Sequence, residues 1–288
     1  MEYLLHLAIV ISIYSILGLS LNLIVGYTGL VSMTQAAFYA IGAYATAIAM
    51  TSYDINFFLA ILIGIIISGL CALIIGYVLS RFDGDYFTLG SLGFNIIITA
   101  ILVNWRGFTG GATGIPAIPR PSLFGFDLST NLTFFILALL AVVVIYFICK
   151  FIVRSSFGRV LKAIREDEKA IQVFGYNTHY YKLAIFAIGA MMAAVAGALY
   201  ASYLSYISPA TFDLNESVFI LSIVVLGGLA NNKGAIWGAA LLILLPEALQ
   251  FVGFPSAVAE ELRQVIYGLA IVLFMLYRPQ GLVGEYKL

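Results

Sequence analysis

Residues 57–80 read FFLAILIGIIISGLCALIIGYVLS, an apolar run without one acidic or basic side chain. At 1.5 Å per residue a helix of this length is roughly 35 Å long, enough to cross a hydrocarbon core of about 30 Å. Lipid offers no partner to a peptide group, so a helix, which satisfies its own backbone, is the form this run takes. Working outward, similar runs recur near 3–25, 30–50, 86–104, 132–153, 183–203, 216–229, 235–251 and 262–277. The expected architecture is an all-α integral membrane protein, a polytopic helical bundle of about nine spans within a range of eight to ten, forming one domain over 1–288. The runs at 216–229 and 235–251 are short; either the first is a partial span or packing there buries irregular backbone.

Composition excludes the main alternatives. Hydrophobic residues make up 62% of the 288-residue chain and charged residues 10%, with mean hydropathy +1.06. Soluble domains carry about 25% charged residues, so too little polar surface remains here to cover a water-soluble core. A formal net charge of zero gives no reason to expect nucleic acid. Cys71 and Cys149 lie in separate apolar runs and read as buried thiols. Met1-Glu2-Tyr3 lacks the basic flank of a cleaved leader, so 3–25 reads as a retained span. His6 and His179 are isolated, and no Ser-His-Asp or paired-carboxylate pattern suggests an intramembrane enzyme.

The polar connections set the orientation. Residues 105–130, with TGGATGIPAIPRPSLFGF at 109–126, are too rich in Gly and Pro for a long helix and read as a flexible external loop. Residues 154–182 are charged and amphipathic: Phe157, Val160, Leu161 and Ile164 share one helical face. Asp167 is placed to cap a second short helix, with Ile171 and Phe174 as its apolar pair. Half of the 14 Lys and Arg residues fall at 150–182, which places this loop in the cytoplasm. Arg81, Lys233 and the tail after Arg278 fall on the same side. Asp54, Asp127, Asp213, Glu216, Glu260 and Glu261 fall outside, with Arg106, Arg120 and Arg263 as a basic minority. The N-terminus then lies outside and the C-terminus inside.

Polar residues within the apolar runs are the candidates for a pathway. GYTGLVSMTQ at 26–35 places Thr28, Ser32 and Gln35 where the helix is broken by glycine, a device transporters use at solute sites. Gly227-Gly228, Gly234 and Gly238 form a counterpart. A tight turn with small-residue helix packing accounts for the same pattern. Asn22 near the end of the first span, and Asn95 about 14 Å into the fourth, each line a conduit or bond a neighbouring helix. Glu247 reads as an interfacial or paired carboxylate. The near absence of charge along this path suits net-neutral solutes, including zwitterions.

Six strings occur in series: GYTGLVSMTQAAFYAIGAY (26–44), GDYFTLGSLGF (84–94), TGGATGI (109–115), FGRVLKAIREDEKAIQVFGYN (157–177), VVLGGLANNKGAIWGA (224–239) and RPQGL (278–282). Together they resemble the LivM-type permeases of branched-chain amino acid ABC transporters, with departures at Asn231-Asn232-Lys233 and Trp237-Gly238. The resemblance implies an ABC-importer permease fold with broken helices, in the cell membrane of a prokaryote. It implies as partners a second homologous permease, two cytoplasmic ATP-binding subunits and an extracytoplasmic solute-binding protein. No GxxxxGK[ST] loop is present in the sequence, so ATP and Mg belong to the partner ATPase and no cofactor is expected in this chain. It also marks 154–182 as the coupling segment: two short helices meeting near Gly158 and Gly175, apolar side chains anchoring them, and Arg159, Arg165, Glu166 and Asp167 facing the ATPase. The bland alternative for that loop is a solvated basic surface. The alternative for the whole chain is a self-contained secondary transporter or channel, which would work from an ion gradient alone.

Overall fold

In the computed structural model the described residues are 2–82, 84–123, 126–127 and 130–250, with 268–269, 272 and 281–282. The chain is mostly helical. Helix α1 (Glu2–Leu21) continues through a π-helical turn, Asn22–Gly26, and is followed by α2 (Gln35–Tyr53), α3 (Phe57–Leu79) and α4 (Asp85–Asn104). A single turn α5 (Arg106–Thr109) leads to α6 (Asn131–Arg154), α7 (Ser156–Glu166), α8 (Glu168–Val173), α9 (Thr178–Leu204), α10 (Leu214–Gly227) and α11 (Asn232–Gln250). Among the described residues five helical segments are long and apolar enough to cross a membrane: Glu2–Gly26, α3, α4, α6 and α9. A sixth follows if α10 and α11, bent 120° to one another, form one span. The expected run at 262–277 lies almost wholly outside the described residues.

The bundle is built around α2, which packs on α9 and α3. Between helices in lipid, close packing and hydrogen bonds do the work that apolar burial does in water. Gly42 shows why α2 is rich in small residues: a Cβ there would stand 2.3 Å from Ala194 Cα of α9. Ser68 of α3 adds a hydrogen bond to the Ala190 carbonyl at 2.9 Å. Outward, α3 presents Leu59, Ile66, Leu70 and Ile74, and α6 presents Leu140, Val144 and Phe147, all exposed. Such surfaces belong against lipid.

Three sequence expectations shift. The run expected at 30–50 forms a helix only from Gln35, because residues 29–34 are neither helix nor strand. The two short runs become α10 and α11, joined by a sharp turn in which Gly227 and Gly234 touch backbone to backbone. The 105–130 loop is not simply flexible. Thr109 Oγ1 donates to the Leu102 carbonyl at 2.7 Å, and strand β1 (Ile115–Pro116) pairs antiparallel with Tyr206–Ile207.

Candidate translocation and coupling site

The segment between α1 and α2 carries peptide groups that no helix satisfies, and side chains from other helices take them up. Met33 N–H donates to Ser91 Oγ of α4 at 2.9 Å, and Thr88 Oγ1 donates to the Val31 carbonyl at 3.0 Å. The Met33 carbonyl accepts from Asn95 Nδ2 at 3.0 Å and from Ser217 Oγ of α10 at 2.9 Å. Asn95 Nδ2 also donates to Ser217 Oγ at 2.6 Å, and Ala36 N–H donates to the same oxygen at 3.1 Å. Thr88, Ser91 and Asn95 stand at i, i+3 and i+7, one polar stripe on α4. Of these holders, only Asn95 was singled out from the sequence. The stripe was the available signal for the other two, and Ser217 had none.

The remaining pathway candidates are buried and engaged locally. Thr28 Oγ1 donates back to the Ile24 carbonyl at 2.6 Å, and Ser32 and Thr34 share a hydroxyl bond at 2.9 Å. Gln35 Nε2 donates to Ser20, while Gln35 Oε1 is buried with no partner among the described residues. Asn22 is tied to the α10–α11 turn instead. Its Oδ1 accepts from Ala230 N–H at 3.0 Å, beside Tyr27, whose hydroxyl donates to the Ala230 carbonyl at 2.6 Å. Asn231 Oδ1 accepts from Lys233 N–H at 2.9 Å, so the divergent Asn pair opens α11.

Local caps shape the loop at 154–182. Ser155 Oγ accepts from Gly158 N–H at 3.3 Å to start α7, and Asp167 Oδ1 accepts from Ala170 N–H at 3.0 Å to start α8. The cap expected at Asp167 is present. The two helices therefore meet at Asp167, not near Gly158 and Gly175. Gly158 lies buried inside the first turn of α7, and Gly175 follows α8 with φ of 86°.

Leu161 and Ile164 anchor α7 in the core, as the amphipathic pattern requires. Arg165, expected to face the ATPase, is half-buried and turned toward the membrane segment. Its Nη1 donates to the Gly26 carbonyl, and its Cγ would stand 3.3 Å from a Cβ at Gly29, whose φ is 75°. Lys162 Nζ lies 5.6 Å from the centre of the Tyr27 ring. Arg159, Glu166 and Asp167 are exposed. On α8 only part of the expected anchoring is present: Ile171 is half-buried, whereas its partner Phe174 is 76% exposed, as is the neighbouring Val173 at 86%. The α8 end is held by polar contacts, an ion pair of Glu168 with the buried Lys182 and a 2.9 Å bond from Gln172 to Thr178.

Of two carboxylates, one keeps its sequence reading and one does not. Glu247 is paired, accepting from the Tyr3 hydroxyl. Glu216, read only as an outer acidic residue, is turned inward, hydrogen-bonded to Tyr14, with Oε1 buried and without a partner among the described residues. No group of three His, Cys, Asp or Glu side chains suited to a metal occurs among the described residues.

Comparison with known proteins shows the family. Residues 3–275 match the family model of the branched-chain amino acid transport system permease component. The chain is 34% identical over 294 residues to the high-affinity branched-chain amino acid transport system permease protein LivM of Salmonella typhimurium, covering 94% of this chain and 68% of that one. The LivM protein of Escherichia coli K12 matches at the same identity and coverage. The LivH permease of Salmonella typhimurium is 28% identical over 292 residues, covering 95% of this chain and 92% of its own length. No solved structure matches. With its multi-pass apolar helices and a family match over nearly its whole length, the chain belongs to the LivM-type permeases of branched-chain amino acid transport systems.

Proposed function

We propose that this chain is the translocation subunit of an ATP-driven importer that carries branched-chain amino acids, or a related small neutral or zwitterionic solute, across the prokaryotic cell membrane. It works with a second homologous permease, two cytoplasmic ATP-binding subunits that hold ATP and Mg, and an extracytoplasmic solute-binding protein. The membrane arrangement is about nine spans, with the interruption at 29–34 and the α10–α11 bend at membrane depth. The loop at 154–182 is cytoplasmic and receives the work of ATP hydrolysis.

One observation carries this reading. Arg165 ties α7 to Gly26, three residues before a stretch whose backbone is held by α4 and α10. A push on α7 is therefore delivered to residues 29–34 and, through Met33, to Asn95 and Ser217. Outward, the apolar tip Val173-Phe174 supplies a plug for a groove on a partner, and Arg159, Glu166 and Asp167 are exposed elsewhere on the same loop. An exposed Phe and Val side by side in a charged loop have no use in water alone. The family names of the relatives, all permeases of branched-chain amino acid transport systems, support the solute class.

The test is uptake by the reconstituted complex. Labelled leucine should accumulate only with ATP, the second permease and the binding protein all present. Accumulation driven by an ion gradient with this chain alone would establish the secondary-transporter alternative.

A further inference from the structure

The outer part of α4 and the start of α10 enclose a cleft that the polar seam does not explain. Ile96, Thr99 and Val103 on one flank of α4, with Asp213 and Leu214, surround a cavity of about 320 Å³ with Asn95 at its inner end. Asn95 lies ten residues along α4 from Asp85, about 15 Å. The cleft thus runs from the middle of the bundle to the end of α4 marked by Asn104. On the other flank, Ile98, Ile101 and Leu102 line a groove that is almost wholly apolar. The two flanks of one helix therefore meet different surroundings. The Asp213 carboxylate on this groove is costly against hydrocarbon and comfortable against water or a polar solute, while the Thr99 hydroxyl turns back to the Asn95 carbonyl at 3.0 Å.

The cleft has two chemistries in sequence. Asp213 sits at its mouth, where Oδ1 accepts from Glu216 N–H at 3.1 Å and Oδ2 from Asn215 Nδ2 at 2.8 Å. A carboxylate offers about four acceptor positions, so capacity remains for an incoming donor. Behind it, Ile96, Val103 and Leu214 give aliphatic walls, and among the described residues no basic one lines the cavity. We infer that this cleft is the solute-contacting half-site of the permease and that its ligand is an aliphatic zwitterion. The ammonium group meets Asp213, the branched hydrocarbon lies against Ile96, Val103 and Leu214, and Thr99 with Asn95 closes the inner end. The inference rests on the import of branched-chain amino acids proposed above. It adds that the conduit touches Asn95 through its α4 flank, while the amide itself stays bonded to Met33 and Ser217.

Cysteine accessibility in the intact transporter tests it. In a Cys71→Ala, Cys149→Ala background, Thr99→Cys and Val103→Cys should react with a charged, membrane-impermeant thiol reagent at least tenfold faster than Ile101→Cys. Leucine-loaded binding protein with ATP should slow that reaction several-fold. Asp213→Ser, which keeps a capping oxygen and removes the charge, should raise the KM for leucine about tenfold. Labelling of Thr99→Cys no faster than Ile101→Cys would overturn the inference, because the cleft would then face lipid. Fast labelling slowed by urea and not by leucine would leave the water-filled cleft in place and overturn the branched-chain assignment on which its ligand rests.

Discussion

The guanidinium of Arg165 donates to the main-chain carbonyl of Gly26, 139 positions earlier in the chain. This bond joins two elements that composition sets apart, a charged amphipathic helix and an apolar membrane segment. Gly26 ends the π-turn of the first span, and a few residues further on the backbone leaves helix altogether. The loop at 154–182 is thus anchored to the least regular part of the membrane domain. Leu161 and Ile164 make that anchorage stiff by burying one face of α7.

The outer face of the same loop should separate partner binding from stability. Val173→Asp with Phe174→Asp removes exposed side chains, so thermal unfolding of the purified permease should change by no more than about 0.5 kcal/mol per site. Copurification of the ATPase subunits should fall at least tenfold. Full retention of the ATPases, measured by affinity capture of the tagged permease, would show that α8 is not their seat.

The seam around Met33 should behave as one unit. Ser217→Ala removes a donor to the Met33 carbonyl and the acceptor of Ala36 N–H, at a cost of about 1–3 kcal/mol for buried groups left unpaired. Asn95→Leu should cost a similar amount, and the double variant less than the sum, because both side chains serve the same carbonyl and each other. Scanning fluorimetry in detergent measures all three. Strict additivity would mean the two residues act independently.

Close approach of α2 and α9 predicts a contrast between glycines. Gly42→Val forces apart backbones that leave 2.3 Å for a Cβ, and should cost about 1–3 kcal/mol or more, seen as lost membrane accumulation. Gly93→Ala, where nothing lies within 4 Å, should accumulate normally. Equal tolerance at both sites would argue against the α2–α9 packing.

Glu216 should tolerate loss of its charge. Glu216→Gln keeps an acceptor for Tyr14 while relieving a buried carboxylate whose Oε1 has no partner among the described residues, so the unfolding temperature should hold or rise. Tyr14→Phe should lower the stability by about 1–3 kcal/mol, since the carboxylate then loses its donor. A marked fall for Glu216→Gln would indicate that the ionised carboxylate itself is needed.

Much of this was legible because lipid imposes simple rules. Long uncharged runs such as 57–79 can only be helices, and a capping Asp before Ala170 announces α8 wherever the chain folds. What escaped were relations between distant segments. The string GYTGLVSMTQ left a glycine-broken helix and a tight turn both open, yet only the fold shows that Ser91, Asn95 and Ser217 bond the Met33 backbone there. Amphipathic spacing correctly buried Leu161 and Ile164. It misassigned Phe174, because a pattern cannot tell which face of a six-residue helix meets the bundle when polar pairs such as Glu168–Lys182 hold it instead. Arg165 was expected to face outward on its charge alone. A carbonyl at the end of a π-turn, invisible in the sequence, provided an inward partner.

On the proposed function, work done on α7 reaches the membrane segment through Arg165. The direct measurement is leucine imported per ATP hydrolysed by the reconstituted transporter carrying Arg165→Ala, compared with the parent. The coupling proposed here predicts that the complex assembles and hydrolyses ATP while the ratio falls at least tenfold. A ratio equal to that of the parent would contradict it.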